Sequence, residues 1–544
     1  VIASVNPPVR SVPEMLMTIP GLLRDNAHQH GDKAVIVTDD RSITHAELDD
    51  ESRTMAARLV ALGVSKGARV GLLAPNGVEW AVTALAVMRV GGVLVPLSTL
   101  LRPPELEAQL DQASVTHLVV ARSFRGRSYL NDIEAAVPGL ISTLAVGVRE
   151  PRLPALSRLL LIDDMPTGAV TPELVDALAQ RVTPADDMAI VFTSGSRGTP
   201  KGTVHTHAGG LGAVASSLPL RRVGPDDRLY IPMPFFWTGG FCSGLLSTLV
   251  AGATLLTEAV PEAGRTLELL ERERATLFRG WPDQAARLAA DPRFAGADLS
   301  SLGPASLPAV LPADQRPAPG ARANLFGMTE TFGPYCGARL DRDLPEAEWG
   351  SCGRPVDGVE IHIVDPESEA EVALGDVGEI RVRGRNVMRA IVGRTREETF
   401  DSAGFYPTGD LGRIDSAGFL WYHGRRDDMF KVSGATVYPS EVEEALRAVP
   451  GVRQAHVTNL AEPQESGIVG ALVVGDLGLN ELVAGARARL SAFKMPTHWL
   501  VAKTADEVPM TATSKVDIVR LRARLQAVCR EHDRQASSDA GGGA

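Results

Sequence analysis

The sequence has little of what a metal, disulfide or nucleic-acid protein needs. Its four cysteines, Cys242, Cys336, Cys352 and Cys529, lie scattered without C-x-x-C spacing. Neither a zinc site nor a disulfide framework is indicated, and free thiols in a reducing, cytoplasmic compartment are expected. Basic residues (55) fall short of acidic ones (66), for a net charge of −11. The basic surplus or stripe of a nucleic-acid binder is missing, and the pair Arg425-Arg426 is answered at once by Asp427-Asp428. The N-terminus shows no basic-then-apolar signal peptide. Residues 229–257 carry no charge and are long enough to cross a bilayer. Pro232, Pro234 and Gly239-Gly240 interrupt them, however, and the stretch reads as strand 229–233, an aromatic turn, helix 241–250 and strand 253–256. No membrane span is expected.

What is present is a long alternation of strand and helix. Residues 34–37, 70–73 and 93–96 read as apolar strands, 48–62 as an amphipathic helix and 79–90 as a helix. Thr44-His45-Ala46-Glu47 has capping-box spacing ahead of the first helix. This βαβ rhythm predicts doubly wound parallel sheets, which bind ligands at the carboxyl ends of their strands. From about Gly353 the pattern changes to short strands at 359–364, 379–383 and 418–423, a small barrel-like layer. After Gly424 a compact α+β unit is expected, with helices at 440–449 and 480–491 and strands at 454–459 and 470–474. The division is therefore placed at 1–423 for a large N-terminal domain and 424–530 for a small mobile one, with a disordered tail at 531–544.

The most informative stretch follows the apolar strand 188–192: Thr193-Ser194-Gly195-Ser196-Arg197-Gly198-Thr199-Pro200-Lys201-Gly202. Glycines let backbone N–H groups approach an anion, hydroxyls add donors, and Arg197 and Lys201 add charge, which is what a polyphosphate needs. It is not a Walker A loop, because Pro200 precedes the lysine and Gly202 follows it. By itself it reads equally well as a solvated Ser/Gly turn. Further motifs stand in order behind it. They are Leu325-Phe326-Gly327-Met328-Thr329-Glu330, Tyr406-Pro407-Thr408-Gly409-Asp410, the block from Gly424 through Lys431 and Gly434 to Glu441, and Pro509 through Ser514-Lys515. Together these resemble, over about residues 20–525, the adenylate-forming superfamily of acyl-CoA synthetases, adenylation domains and luciferase-like enzymes.

The resemblance implies roles. Thr193, Ser194, Gly195, Ser196, Gly198 and Lys201 would cradle the β- and γ-phosphates of ATP, Thr329 would contact the α-phosphate, and Glu330 would hold Mg²⁺. Phe326 would face adenine, and Asp410 and Arg425 the ribose. Lys515 would bridge the α-phosphate and the acyl carboxylate, Asp427 would be the hinge, and Gly434 would line a tunnel for CoA. Phe235, Phe236, Trp237 and Gly239 would shape the acyl pocket.

Some positions depart from the family pattern. Arg197 stands where Thr or Ser is usual, Trp237 where many relatives carry His, and Ser514 where Gly commonly precedes the lysine. The adenine-side strand at 302–307 looks shortened. The expectation is an ATP- and Mg²⁺-dependent ligase that joins CoA to a medium- or long-chain, or otherwise bulky, apolar acid. The alternatives are an enzyme that loads a carrier-protein thiol and a nucleotide-binding homologue without turnover. The expected partners are the small molecules, with no nucleic acid, and the resemblance admits a homodimer.

Overall fold

A computed structural model of the chain describes residues 17–168, 170–193, 200–323, 325–432, 435–461, 467–511 and 516–527. Ser194, Gly195, Ser196, Gly198, Gly434, Lys515, Cys529 and the 531–544 tail therefore lie outside the described residues.

The chain divides into two units. The first is built on two sheets. In the seven-stranded sheet, Asp187–Thr193, Val93–Pro96, Arg69–Leu73, His117–Val120 and Arg158–Leu161 run parallel, and Lys201–Thr206 turns back antiparallel on Asp187–Thr193. In the five-stranded sheet, Leu277–Phe278, Arg228–Tyr230, Thr254–Leu256 and Ala34–Val37 are parallel, with Ser42–Thr44 antiparallel at the edge. Inner strands such as Val93–Pro96 and Thr254–Leu256 are short and buried throughout, as parallel sheets covered by helices require. The shared core includes Leu72, Leu94, Val191, Leu229, Ile231 and Phe332.

Local chemistry sets the helix ends. Thr44 accepts the Glu47 N–H at 3.2 Å while Glu47 accepts the Thr44 N–H at 2.8 Å, a reciprocal cap that starts helix His45–Ala61. The charge-free stretch divides into several short elements: strand Arg228–Tyr230, an aromatic turn, a π-helical Phe241–Leu246, helix Ser247–Ala251 and strand Thr254–Leu256. Among the described residues no helix is long and apolar enough to cross a membrane.

The second unit takes Ile363–Ile380, Pro407–Ser416 and everything from Trp421. This differs from a single division at residue 424. Strands Val359–Val364, Gly378–Gly384, Tyr406–Ile414 and Leu420–Arg425 pair with one another in a separate four-stranded sheet, so their contacts are not those of the large sheets. The rest of this unit is the expected α+β body. Val452–Asn459 pairs antiparallel with Val469–Gly475, which runs parallel to His498–Ala502, and helices Pro439–Arg447 and Leu479–Arg487 complete it. Its own core holds Val442, Leu446, Val457, Val473 and Leu482.

Candidate active site

The Ser/Gly-rich segment after strand Asp187–Thr193 joins the two arms of a hairpin at the carboxyl end of the seven-stranded sheet. Lys201 pairs directly with Thr193, and Gly202 with Phe192. Thr193 and Lys201 thus flank the mouth of the 194–200 connection, both partly exposed, where the topology of a parallel sheet puts ligands.

The Thr-Glu motif is a tight turn, Thr329–Thr331, between antiparallel strands Phe326–Met328 and Gly333–Gly337. Glu330 is buried, and the Tyr406 hydroxyl donates to its Oε1 at 3.1 Å. Met388 N–H donates to the Glu330 carbonyl at 2.7 Å, which anchors the backbone of the turn. The Thr331 hydroxyl lies between two acceptors, the Met328 and Gly333 carbonyls at 3.0 and 2.7 Å, with one proton to give. Phe332 closes the turn at φ +54°, a left-handed conformation that a phenylalanine adopts only under constraint. The constraint is visible: its ring is fully buried against His205 and Phe241, with centroids 4.7 and 5.6 Å away. Burial draws the His205 imidazole down to about 3, so this neighbour of the turn is neutral.

Gly327 has no room for a side chain: a β-carbon there would fall on the Gly333 carbonyl oxygen. Gly327→Ala should therefore spread the two strands and displace Glu330. A loss of about 1–3 kcal/mol in denaturant unfolding is expected, with adenylation reduced further than stability. Unchanged unfolding and activity would refute the close approach. Phe326 is partly exposed and packs edge-to-face on Tyr335 at 5.3 Å.

In the second unit, the Thr-Gly-Asp motif and the arginine of the hinge block come together. Arg425 Nη1 donates to Asp410 Oδ1 at 2.8 Å and to the Thr408 carbonyl at 2.9 Å. Thr408 Oγ1 accepts the Asp410 N–H at 3.0 Å and donates to the Ile380 carbonyl at 2.7 Å. Gly409 holds φ +71°, a left-handed conformation that favours glycine, and a β-carbon there would stand 2.8 Å from an Arg425 Nη atom. Burial works against the Arg425 charge. The Asp410 charge and hydrogen bond outweigh it and hold the guanidinium above its ordinary value. Asp427 lies in the short exposed turn Arg426–Asp428 between strand Leu420–Arg425 and hairpin strand Phe430–Val432.

The aromatic turn divides by role. Phe235 is fully buried and packs on Trp80 at 5.2 Å, and Phe236 is nearly as buried, so both serve the core first. Trp237 is partly exposed and meets Trp281 edge-to-face at 5.6 Å. A β-carbon on Gly239 would press on the Met233 sulfur at 2.7 Å. The sequence reading missed Asn76, the residue that holds this turn. Its amide donates to the Met233 carbonyl at 3.0 Å and to Thr257 Oγ1 at 3.2 Å, and its Oδ1 accepts the Phe235 N–H at 2.7 Å. It thereby ties the carboxyl ends of the two large sheets together.

The segment 303–307 is irregular, yet it runs along the edge of the five-stranded sheet. Gly303 N–H donates to the Thr276 carbonyl at 2.7 Å and Leu307 N–H to that of Phe278 at 3.1 Å, while Ser306 Oγ accepts the Phe278 N–H at 3.1 Å. A side-chain oxygen thus takes the place of a ladder carbonyl, which is why the strand looks short in sequence.

Among the described residues no group of three or more His, Cys, Asp or Glu side chains could hold a metal. Glu330 fits a different kind of site. Its Oε1 is held by Tyr406, and no further hydrogen bond to the carboxylate forms among the described residues. One carboxylate shared with substrate phosphates is the usual mode for Mg²⁺.

Parallel sheets with a hydroxyl-and-lysine hairpin at their carboxyl ends, and a Thr-Glu turn on an antiparallel pair, define a nucleoside-triphosphate enzyme of the adenylate-forming class. Residues 23–392 match the AMP-binding enzyme family, and the chain belongs to it. It is 32% identical over 527 residues to a 3-[(3aS,4S,7aS)-7a-methyl-1,5-dioxo-octahydro-1H-inden-4-yl]propanoyl:CoA ligase of Mycobacterium tuberculosis, covering 93% of this chain and 99% of that one. It is 32% identical to a feruloyl-CoA synthase of Amycolatopsis sp, over 89% and 94% of the two chains. The ATP-bound structure of MatB from Rhodopseudomonas palustris superposes with a TM-score of 0.75 at 26% identity, over 93% of this chain and 98% of that one. The chain is an AMP-forming acid–CoA ligase: carboxylate and ATP give acyl-adenylate and pyrophosphate, and CoA then takes the acyl group.

Proposed function

We propose that the acid is bulky and largely apolar, with a ring-bearing skeleton preferred to a thin alkyl chain. The observation that carries this is the Trp237–Trp281 pair, two partly exposed indoles edge-to-face at the carboxyl end of the five-stranded sheet. Two large rigid faces gain most from a partner that is itself broad and rigid. The acids named for the two relatives, a fused-ring dione propanoate and a ferulate, are both ring-bearing.

The chemistry assigned to the site follows from charge. The acid's carboxylate oxygen attacks the α-phosphorus; the bond to the bridging oxygen breaks and pyrophosphate leaves with the electron pair. The thiol sulfur of CoA then attacks the acyl carbon, loses its proton, and AMP leaves. In this reading Lys201 and the hydroxyls flanking it hold the leaving phosphates, and Thr329 donates toward the α-phosphate. Glu330, kept in place by Tyr406, would hold Mg²⁺, which when bound neutralises charge on the polyphosphate. Asp410 takes the ribose hydroxyls, oriented by Arg425. A cytoplasmic setting belongs to the same reading and is supported by Cys242 and Cys336, both buried thiols.

Trp237→Ala tests the acid class. The variant should shift its kcat/KM profile toward thinner acids by about tenfold, the scale of a large apolar contact, with the ATP requirement kept. An unchanged profile accompanied only by lower stability would assign Trp237 to the core.

A further inference from the structure

The inner face of the five-stranded sheet carries a charge the fold does not explain. Arg279 follows strand Leu277–Phe278 directly, and its N–H continues the ladder to the Tyr230 carbonyl at 3.0 Å. By strand alternation it shares the face of Leu277, which packs in the core with Phe241, Leu245 and Phe332. It is 9% exposed. Its Nη2 donates to the Arg221 carbonyl at 2.5 Å, Nε has no partner, and no carboxylate stands within ion-pair distance among the described residues.

Its neighbours do not balance it. Arg221, 2% exposed, is held by neutral groups, Ser247 Oγ at 2.5 Å and the Ser243 carbonyl. Arg322, the third guanidinium nearby, does have a carboxylate, Asp343 at 3.1 Å. Asp227 and Asp341 also lie in the field of Arg279, but they are engaged elsewhere, Asp227 by Thr276 and Gly224 and Asp341 by Arg339. Burial, and then the Arg221 charge, pull the Arg279 guanidinium down to about 9. A guanidinium offers five N–H donors, and burying it without an anion is unfavourable where leucine or methionine would pack. Two residues further on, Trp281 closes on Trp237.

We propose that the Arg279 guanidinium binds an oxygen acceptor, a ketone or carboxylate oxygen, at the end of the acid remote from its reacting carboxyl. The acid is then a broad apolar skeleton with one polar terminus. The aromatic pair selects its bulk, and Arg279 selects the oxygen with donors set in a rigid fork. This rests on the acid-activating reading above and names the substrate class of that same site.

The test compares three acids sharing one ring skeleton, with a methylene, a ketone or a carboxylate at the distal position. kcat/KM is read by pyrophosphate release with CoA present, in the full chain and in Arg279→Met and Arg279→Lys. The native enzyme should favour an oxygen-bearing acid over the hydrocarbon by about tenfold or more, the scale of a charged hydrogen bond. Ketone against carboxylate identifies which oxygen. Arg279→Met should collapse the preference, and Arg279→Lys should recover part of it, which a packing role would not do. A native preference for the hydrocarbon over both overturns the proposal even if the variants fail to fold. So does a native ratio kept by Arg279→Met. Both of those results leave acid activation standing, whereas no pyrophosphate release with any acid overturns the underlying reading as well.

Discussion

Lys515→Ala is expected to lower adenylation by about two to three orders of magnitude, the effect of removing one transition-state donor, yet still to convert supplied acyl-AMP and CoA to thioester. By the family resemblance its ammonium would offset charge where carboxylate and α-phosphate meet, and nothing of that need survives once acyl-AMP exists. The same resemblance implies a hinge at Asp427 that would then withdraw the lysine, and a thiol path lined by Gly434. Gly434→Leu should accordingly do the reverse, releasing pyrophosphate while forming little thioester. Two point variants, synthetic acyl-AMP and a pyrophosphate assay suffice. Equal failure of both variants in both assays, with normal thermal melts, would contradict a separation of the half-reactions between these residues.

Glu330→Gln should raise the Mg²⁺ needed for half-maximal rate and slow adenylation by on the order of 100-fold or more. The amide keeps the shape of the side chain, and its oxygen still accepts from Tyr406, so the turn held by Met388, Thr331 and Phe332 is preserved. What is removed is the negative charge. The readout is a metal titration of pyrophosphate release beside a thermal melt. A native titration curve in the variant would take Glu330 out of the metal's coordination.

Much of this was legible in the sequence where chemistry is local. The capping box at Thr44 and Glu47, the strand before the phosphate loop and the lone positive-φ glycine of Thr408-Gly409-Asp410 each encode their geometry within a few residues. The residues missed are those whose meaning depends on distant partners. Asn76 looks like a turn former, yet it braces a segment about 160 positions away. Tyr406 precedes a motif and holds the carboxylate of another. Arg279 sits in an unremarkable stretch, and only its burial without an acid marks it. The burial of Phe235 against Trp80, beside a partly exposed Trp237, was likewise not legible from their adjacency in the chain. The layer of short strands after Gly353 was legible, but its pairing was not. Hydrogen bonding among the strands at 359–425 assigns them to a sheet of their own, and pairing partners are not written in composition.

The most direct measurement is pyrophosphate release and thioester formation across a panel of carboxylic acids, with and without CoA. The account predicts acid-dependent pyrophosphate release, greatest for a bulky ring-bearing acid, with CoA yielding thioester and AMP in equal amounts. Acid-dependent release that CoA never converts to thioester, or no release with any acid, would contradict it.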